Sequence, residues 1–60
     1  MKAKLLTRVD DIPNHLDAGT IVSVKSIIEM GWIIAVADFG QRKKEIYLSP
    51  GDYELIPMYN

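Results

Sequence analysis

The residues of this 60-residue chain that could do chemistry are few, and they form no catalytic set. His15 is the single histidine, and the absence of cysteine excludes thiolate chemistry, disulfides and cysteine-based zinc sites. Serine and threonine hydroxyls would have only His15 as a general base. Asp17 follows His15 closely, which is weak support for a metal site. We therefore expect no catalytic residue, no metal site and no cofactor, and we predict that the chain is not an enzyme.

The aromatic residues point instead to a binding surface. Trp32 is the only tryptophan, and it stands where a strand is expected to begin. Tryptophan is a frequent anchor in protein interfaces, but in so small a domain it could equally close one end of the core. The same two interpretations apply to Tyr47 and Tyr53, and for these tyrosines the structural interpretation is the more common one.

A basic cluster offers a different kind of binding. Arg42, Lys43 and Lys44, together with Lys25, could contact the phosphates of a nucleic acid. The simpler interpretation is a solvated hairpin tip whose charges keep a strand edge from aggregating. The formal net charge of −1 favours the simpler interpretation, because nucleic-acid-binding domains are usually more basic.

These residues must be positioned by short strands. Proline, glycine and asparagine divide the chain into pieces rich in β-branched and aromatic residues. The expected strands are residues 3–9, 20–29, 32–39, 44–48 and 53–57. Because a flat sheet would leave its edges unpaired, five such strands predict one all-β domain, 1–60, built as a small five-stranded barrel.

The connections between the strands can also be predicted. The apolar residues 32–39 indicate either a central strand covered on both faces or a strand with one sticky face. Asp38–Gln41 is expected to be a hairpin turn in which Gly40 takes a positive φ. We interpret residues 10–18 as a loop, and we expect one short 3₁₀ turn near Pro50–Tyr53.

The order of these signals resembles that of Src-homology-3 (SH3) domains. Gly19–Val24 resembles the strand after that family's long loop, and Gly31–Val36 resembles its tryptophan-led strand. Leu48–Ile56 is similar to the family's ending of proline, 3₁₀ turn, tyrosine and last strand. The resemblance covers residues 4–57 and implies an SH3-like barrel with a partner-binding groove.

The chain departs from the peptide-binding members of that family. Leu5–Val9 stands in place of their Ala-Leu-Tyr-Asp-Tyr motif and contains no tyrosine. Of the residues that grip proline-rich ligands in the family, only Trp32, Pro50 and Tyr53 have counterparts here. The chain therefore looks closer to bacterial and phage SH3-like domains, including the KOW type, which often keep the barrel and lose the groove.

Acidic residues of the predicted loop complete the candidate surface. The resemblance implies that Asp10, Asp11 and Asp17 correspond to loop residues that pair with a basic residue of the ligand, and Asp10 and Asp17 are the two that we assign to the partner-binding site. The competing interpretation is that Asp10 or Asp11 caps a turn, and this is the more common role for aspartate in a loop.

Two functions from different classes remain. The first is a small non-catalytic protein–protein interaction module of bacterial, phage or mobile-element type, which binds an unidentified protein through the aromatic groove or an open strand edge. The alternative is a KOW-type nucleic-acid-binding domain that uses the basic cluster. A homodimer could cover the apolar run Trp32–Ala37. That run is far shorter than the ~20 residues that span a bilayer, and we expect a cytoplasmic protein without membrane contact.

Overall fold

A computed structural model describes residues 1–40 and 42–57 and confirms the all-β class. Seven strands follow one another along the chain. They are β1 (Lys2–Leu5), β2 (Val9–Asp11), β3 (Asn14–Leu16), β4 (Ile21–Ile27), β5 (Ile33–Asp38), β6 (Lys43–Leu48) and β7 (Tyr53–Ile56). A 3₁₀ turn, Glu29–Gly31, joins β4 to β5. Within the described residues, no helix is long and apolar enough to cross a membrane.

The strands form two antiparallel sheets. Five of them form one sheet in the order β6-β5-β4-β1-β7, and β2 pairs with β3 in a separate hairpin. The five strands of the barrel-like sheet do not close on themselves, because in residues 1–40 and 42–57 the strands β6 and β7 each pair on one side only. Val9 and Leu16 of the hairpin pack against the core. The hairpin thus covers apolar surface that closure of the sheet would otherwise cover.

Two connections differ from the sequence prediction. Residues 10–18 contain most of the β2–β3 hairpin rather than an irregular loop, because Val9 pairs with Leu16 and gives both strands an apolar residue to bury. The 3₁₀ turn lies at Glu29–Gly31 and not near Pro50–Tyr53. There, the Asp52 N–H donates to the Ser49 carbonyl at 2.9 Å and closes an ordinary turn.

One face of the five-stranded sheet forms the core. Alternate residues of the strands point inward, as the period of two requires. The buried residues that contact one another are Ala3, Leu5, Val22, Ile33, Ala35 and Leu48. Register explains this cluster, since Ala3 lies opposite Val22 and Ile33 lies opposite Leu48.

The apolar strand β5 is covered on one face. Ile33, Ala35 and Ala37 are buried, whereas Ile34 and Val36 are only partly buried on the other side. Of the two interpretations of residues 32–39, the strand with a sticky face is therefore the one found. The outer face of β5 carries Ile34 opposite the exposed Tyr47 of β6.

A bulge in β4 and a tight turn after β5 complete the sheet. Val24 pairs with Ala35 and Ser26 with Ile34, so Lys25 is an extra residue that bends β4. The hairpin turn between β5 and β6 is confirmed, because the Phe39 N–H donates to the Arg42 carbonyl at 2.9 Å and Gly40 has a φ of 100°. Gln41, part of the predicted turn, lies outside the described residues.

Candidate functional site

The structure brings the three predicted aromatic-groove positions to one end of the β5–β6 ladder. The Tyr53 hydroxyl donates a hydrogen bond to the Gly31 carbonyl, and Gly31 in turn lies against the ring of Pro50. Trp32 follows Gly31 directly and is 42% exposed, so it lies outside the buried core. We call Gly31, Trp32, Pro50 and Tyr53 the aromatic surface.

Strand pairing explains why these distant residues meet. Ile33, the first residue of β5, lies opposite Leu48, the last residue of β6. The chain on either side of this pair must therefore run close together, which places Trp32 near the turn that contains Pro50. Tyr53 opens β7 opposite Leu5, and its half-buried ring packs against the core.

Gly31 is the residue that allows the close approach. Its φ of 80° is a backbone conformation that side chains disfavour, and a Cβ atom there would lie 2.9 Å from Cγ of Pro50. Gly31 therefore acts as a spacer between the β4–β5 loop and the Pro50 turn. In the sequence it could be recognised only as a turn residue.

The β4–β5 loop that carries Trp32 is held by its own backbone. The Ile28 N–H donates to the Trp32 carbonyl at 2.9 Å, and the Trp32 N–H donates to the Glu29 carbonyl at 3.3 Å. At its tip Met30 has a φ of 62° and a side chain that is 87% exposed. Nothing in residue type alone marks Met30.

The acidic residues assigned to the same groove make their polar contacts elsewhere. Asp10 accepts a hydrogen bond from Nε of Arg8 at 2.7 Å. Nε2 of His15 lies 3.2 Å from the Asp17 carboxylate. Both contacts are local to the β2–β3 hairpin, and in the described part of the chain no ion pair links Asp10 or Asp17 to the aromatic surface.

The third aspartate, Asp11, has a structural role that is not evident from the sequence. The Asp11 carboxylate accepts hydrogen bonds from Nη2 of Arg42 at 2.6 Å and from Nζ of Lys44 at 3.2 Å. Its side chain is only 13% exposed. The hydrogen bonds from Arg42 and then Lys44 hold the pKa of Asp11 below its ordinary value of 3.8. We call Asp11, Arg42 and Lys44 the ion lock, since it joins the hairpin to β6.

The ion lock bears directly on the nucleic-acid alternative. Arg42 and Lys44 share Asp11, and Lys25 forms an ion pair with Glu45. The hydrogen bond to Glu45 raises the pKa of Lys25 above 10.5. Within residues 1–40 and 42–57, Lys43 is the one member of that predicted set without a carboxylate inside 4.0 Å. The basic side chains thus face carboxylates of their own chain rather than forming an uninterrupted basic track.

Two strand edges are the remaining surfaces for a partner. The Leu6 N–H donates a hydrogen bond to the Asp52 carbonyl. Hydrogen-bonded and non-hydrogen-bonded residue pairs alternate along an antiparallel ladder. The backbone N–H and C=O groups of Tyr53 and Leu55 therefore point away from the sheet. The edge of β7 ends at Pro57, which has no N–H to donate. The edge of β6 carries the charged residues 43–45, which discourage pairing with a strand of another chain.

A depression of about 200 Å³ lies against the five-stranded sheet. It is bordered by Lys2, Ser23, Val36, Asp38 and Lys43, among others, and includes no residue of the aromatic surface. Over the described ranges, no group of three or more acidic or histidine side chains could hold a metal ion.

No family model, curated protein or solved structure matches the chain. The shape and chemistry of its own surfaces are therefore the basis of the functional inference.

Proposed function

We propose that this chain is a small protein–protein interaction module with an SH3-like arrangement of strands, and that it binds its partner through the aromatic surface. The observation that carries the proposal is the half-exposed Trp32, which directly follows Gly31, the residue that Pro50 and Tyr53 contact. A bacterial or phage accessory protein of the cytoplasm is the setting that the sequence predicts, and it forms part of the same proposal.

The order of the elements supports the SH3-like part of the proposal. The resemblance implies a first strand, a long connection, a strand, a tryptophan-led strand, a hairpin, a proline-containing turn and a last strand. In this chain β1, the β2–β3 hairpin, β4, β5, β6 and β7 follow in that order. The pairing of Ile33 with Leu48, between β5 and β6, then brings the loop before β5 next to the turn before β7.

Preorganisation supports the binding part of the proposal. A partner gains more affinity from groups already fixed in place, because less conformational entropy is lost on association. The Tyr53 hydroxyl and the Pro50 ring position Gly31, and Gly31 is bonded covalently to Trp32. A tryptophan presented on such a support has the character of an interface hot spot.

The aromatic surface is favoured over the other candidate surfaces. Both strand edges have features that discourage pairing with another strand, namely Pro57 directly after β7 and a run of charges on β6. The nucleic-acid alternative is opposed by the carboxylates that pair with Arg42, Lys44 and Lys25. A partner could therefore bind the aromatic surface without breaking any of these ion pairs.

An affinity pull-down tests the proposal. The wild-type chain and its Trp32→Ala and Pro50→Ala variants are used as bait in a lysate of the encoding organism, with and without nuclease. We expect a protein that resists nuclease and whose affinity falls at least about 30-fold with Trp32→Ala, the effect of losing a tryptophan hot spot. Ile12→Ala is the matched control, because Ile12 is exposed and apolar but lies on the hairpin.

Circular dichroism and thermal melting show whether each variant is still folded, so that a loss of binding can be distinguished from unfolding. Equal binding by wild type and Trp32→Ala would contradict the proposal. So would recovery that is lost on nuclease treatment, which would favour the basic cluster. If Trp32→Ala unfolds, the exposed Pro50→Ala variant decides, since it removes ring atoms of the surface and leaves the core residues intact.

A further inference from the structure

Met30 has two properties that do not help the fold. Its φ of 62° and ψ of 26° are left-handed, a region that costs a side-chain-bearing residue about 1–2 kcal/mol. Its large apolar side chain is 87% exposed and so contributes little to the core. Glycine would satisfy the same backbone with less strain. A strained residue that gains nothing from its neighbours is a reason to look for a function.

The loop around Met30 holds that side chain in a defined place. Backbone hydrogen bonds link Ile28 to Trp32 and Trp32 to Glu29 across the loop. Gly31, the next residue, is fixed by the Tyr53 hydroxyl and by the Pro50 ring. Met30 is therefore projected from a supported turn beside the aromatic surface, rather than from a loose segment.

We infer that Met30 is an anchor that inserts into an apolar pocket of the protein partner, and that the rim of this pocket carries a lysine or arginine. The inference rests on the proposed function and adds the chemistry of the partner. Methionine fits irregular apolar pockets because its side chain is unbranched and polarizable. The rim charge follows from Glu29, which is exposed beside Met30 and joins none of the ion pairs in the described residues.

Charge favours this protein partner over two others that could contact the β4–β5 loop, namely an anionic membrane and a second copy of the chain. An anionic membrane would repel Glu29, and the formal net charge of −1 gives the chain no long-range attraction to such a surface. A second copy that met this loop about a two-fold axis would bring two Glu29 carboxylates together. A basic rim on a different protein has neither conflict.

Opposite changes in stability and affinity test the inference. Met30→Gly removes the side chain and relieves the strained backbone, while Met30→Leu keeps the apolar bulk and the strain. With the purified partner, Met30→Gly is expected to weaken binding about 10- to 100-fold, the effect of losing one buried apolar side chain. Its melting temperature is expected to rise by about 2–6 °C. Met30→Leu should bind within about threefold of wild type.

The matched control is Ile12→Ala, which removes a side chain of similar exposure, 89%, from the hairpin. It should leave binding unchanged. Crosslinking then identifies the occupant: a diazirine-bearing amino acid replaces Met30 in one sample and Ile12 in another, and the crosslinked peptide is located in the partner. Supporting results are a crosslink from position 30 alone and attachment within an apolar pocket that has a basic residue at its rim.

Each other outcome overturns the inference in a distinct way. If Trp32→Ala abolishes binding and Met30→Gly does not, the proposed function stands and the role of Met30 is wrong. If Trp32→Ala also binds normally, or if no partner is recovered, both fail. A crosslink between two copies of the chain would favour self-association. Co-sedimentation with vesicles of phosphatidylcholine and phosphatidylglycerol that Met30→Gly abolishes would favour a membrane surface.

Discussion

The two ends of the β5–β6 ladder are held together by different physics. At one end, the β4–β5 loop meets the Pro50 turn through van der Waals contact and an uncharged hydrogen bond from Tyr53 to Gly31. At the other end, the β2–β3 hairpin meets β6 through the ion lock. Ile33 and Asp38 mark the ends of β5, about 17 Å apart at the usual rise of a strand.

The difference predicts how each end responds to its surroundings. Packing and a neutral hydrogen bond are insensitive to salt and to acid, whereas ion pairs are weakened by salt and by a pH low enough to protonate the carboxylate, which for Asp11 lies below 3.8. The aromatic surface therefore keeps its geometry under conditions in which the hairpin loosens. This support suits the binding role that we propose for Trp32, because it does not depend on ionic conditions.

The largest expected effect is that of Gly31→Ala. The new Cβ would lie 2.9 Å from Cγ of Pro50 and would also occupy a φ of 80°. Strain and overlap together should lower the free energy of unfolding by about 2–3 kcal/mol. That is a large part of the stability expected for so short a chain. Urea unfolding followed by circular dichroism measures the change.

Gly40→Ala is the matched control for this prediction. Gly40 has a comparable φ of 100°, but a Cβ there would meet no atom within 4 Å in the described structure. Gly40→Ala should therefore lose stability through backbone strain alone, without the steric overlap. If Gly31→Ala and Gly40→Ala lowered the free energy of unfolding equally, the contact with Pro50 would contribute nothing to stability. The proposed difference between the two ends of the ladder would then be wrong.

The next largest effect is that of Tyr53→Phe. The substitution removes the hydroxyl that donates to the Gly31 carbonyl and keeps the ring that packs against the core. We expect a loss of about 1 kcal/mol, seen as a melting temperature lower by about 4–8 °C. The loss should be the same at low and at high salt. A loss that disappears in high salt would contradict the uncharged character of this end.

The smallest effect is that of Asp11→Asn, and it should depend on pH. The pKa of Asp11 is lowered in the folded state by hydrogen bonds from Arg42 and Lys44. Its contribution to stability is thus present above the ordinary pKa of 3.8 and is lost as the pH falls through the lowered value. Wild type should be slightly more stable than Asp11→Asn at neutral pH, and the two should converge in acid.

Thermal melting between neutral pH and pH about 2 checks this, with added salt as the second variable. Salt should also bring wild type and Asp11→Asn together at neutral pH. A difference that persists unchanged in acid would show that the Asp11 charge does not join the hairpin to β6. Tyr53→Phe, measured over the same range, provides the comparison at the other end of the ladder.

Four of the five expected strand segments were predictable because their signals are local, whereas the expected strand 3–9 ends at Leu5 in the structure. Val22 and Val24 alternate with polar residues, and the apolar run after Trp32 lies between glycines, so β4 and β5 are evident from residue order. The positive φ of Gly40 follows in the same way from turn chemistry. The hairpin of β2 and β3 was missed because only Val9 and Leu16 are apolar in those two short strands.

The sequence by itself determined the all-β class and four of the strands to within two residues at each end, and its resemblance to SH3 domains suggested Trp32, Pro50 and Tyr53 as a group. Tertiary structure alone decided that Gly31 separates the loop from Pro50, that Asp11 joins Arg42 and Lys44, and that the sheet stays open. The reason is distance along the chain. Asp11 and Arg42 are 31 residues apart, and a contact at that separation depends on the register of several strands, which no local pattern of residues contains.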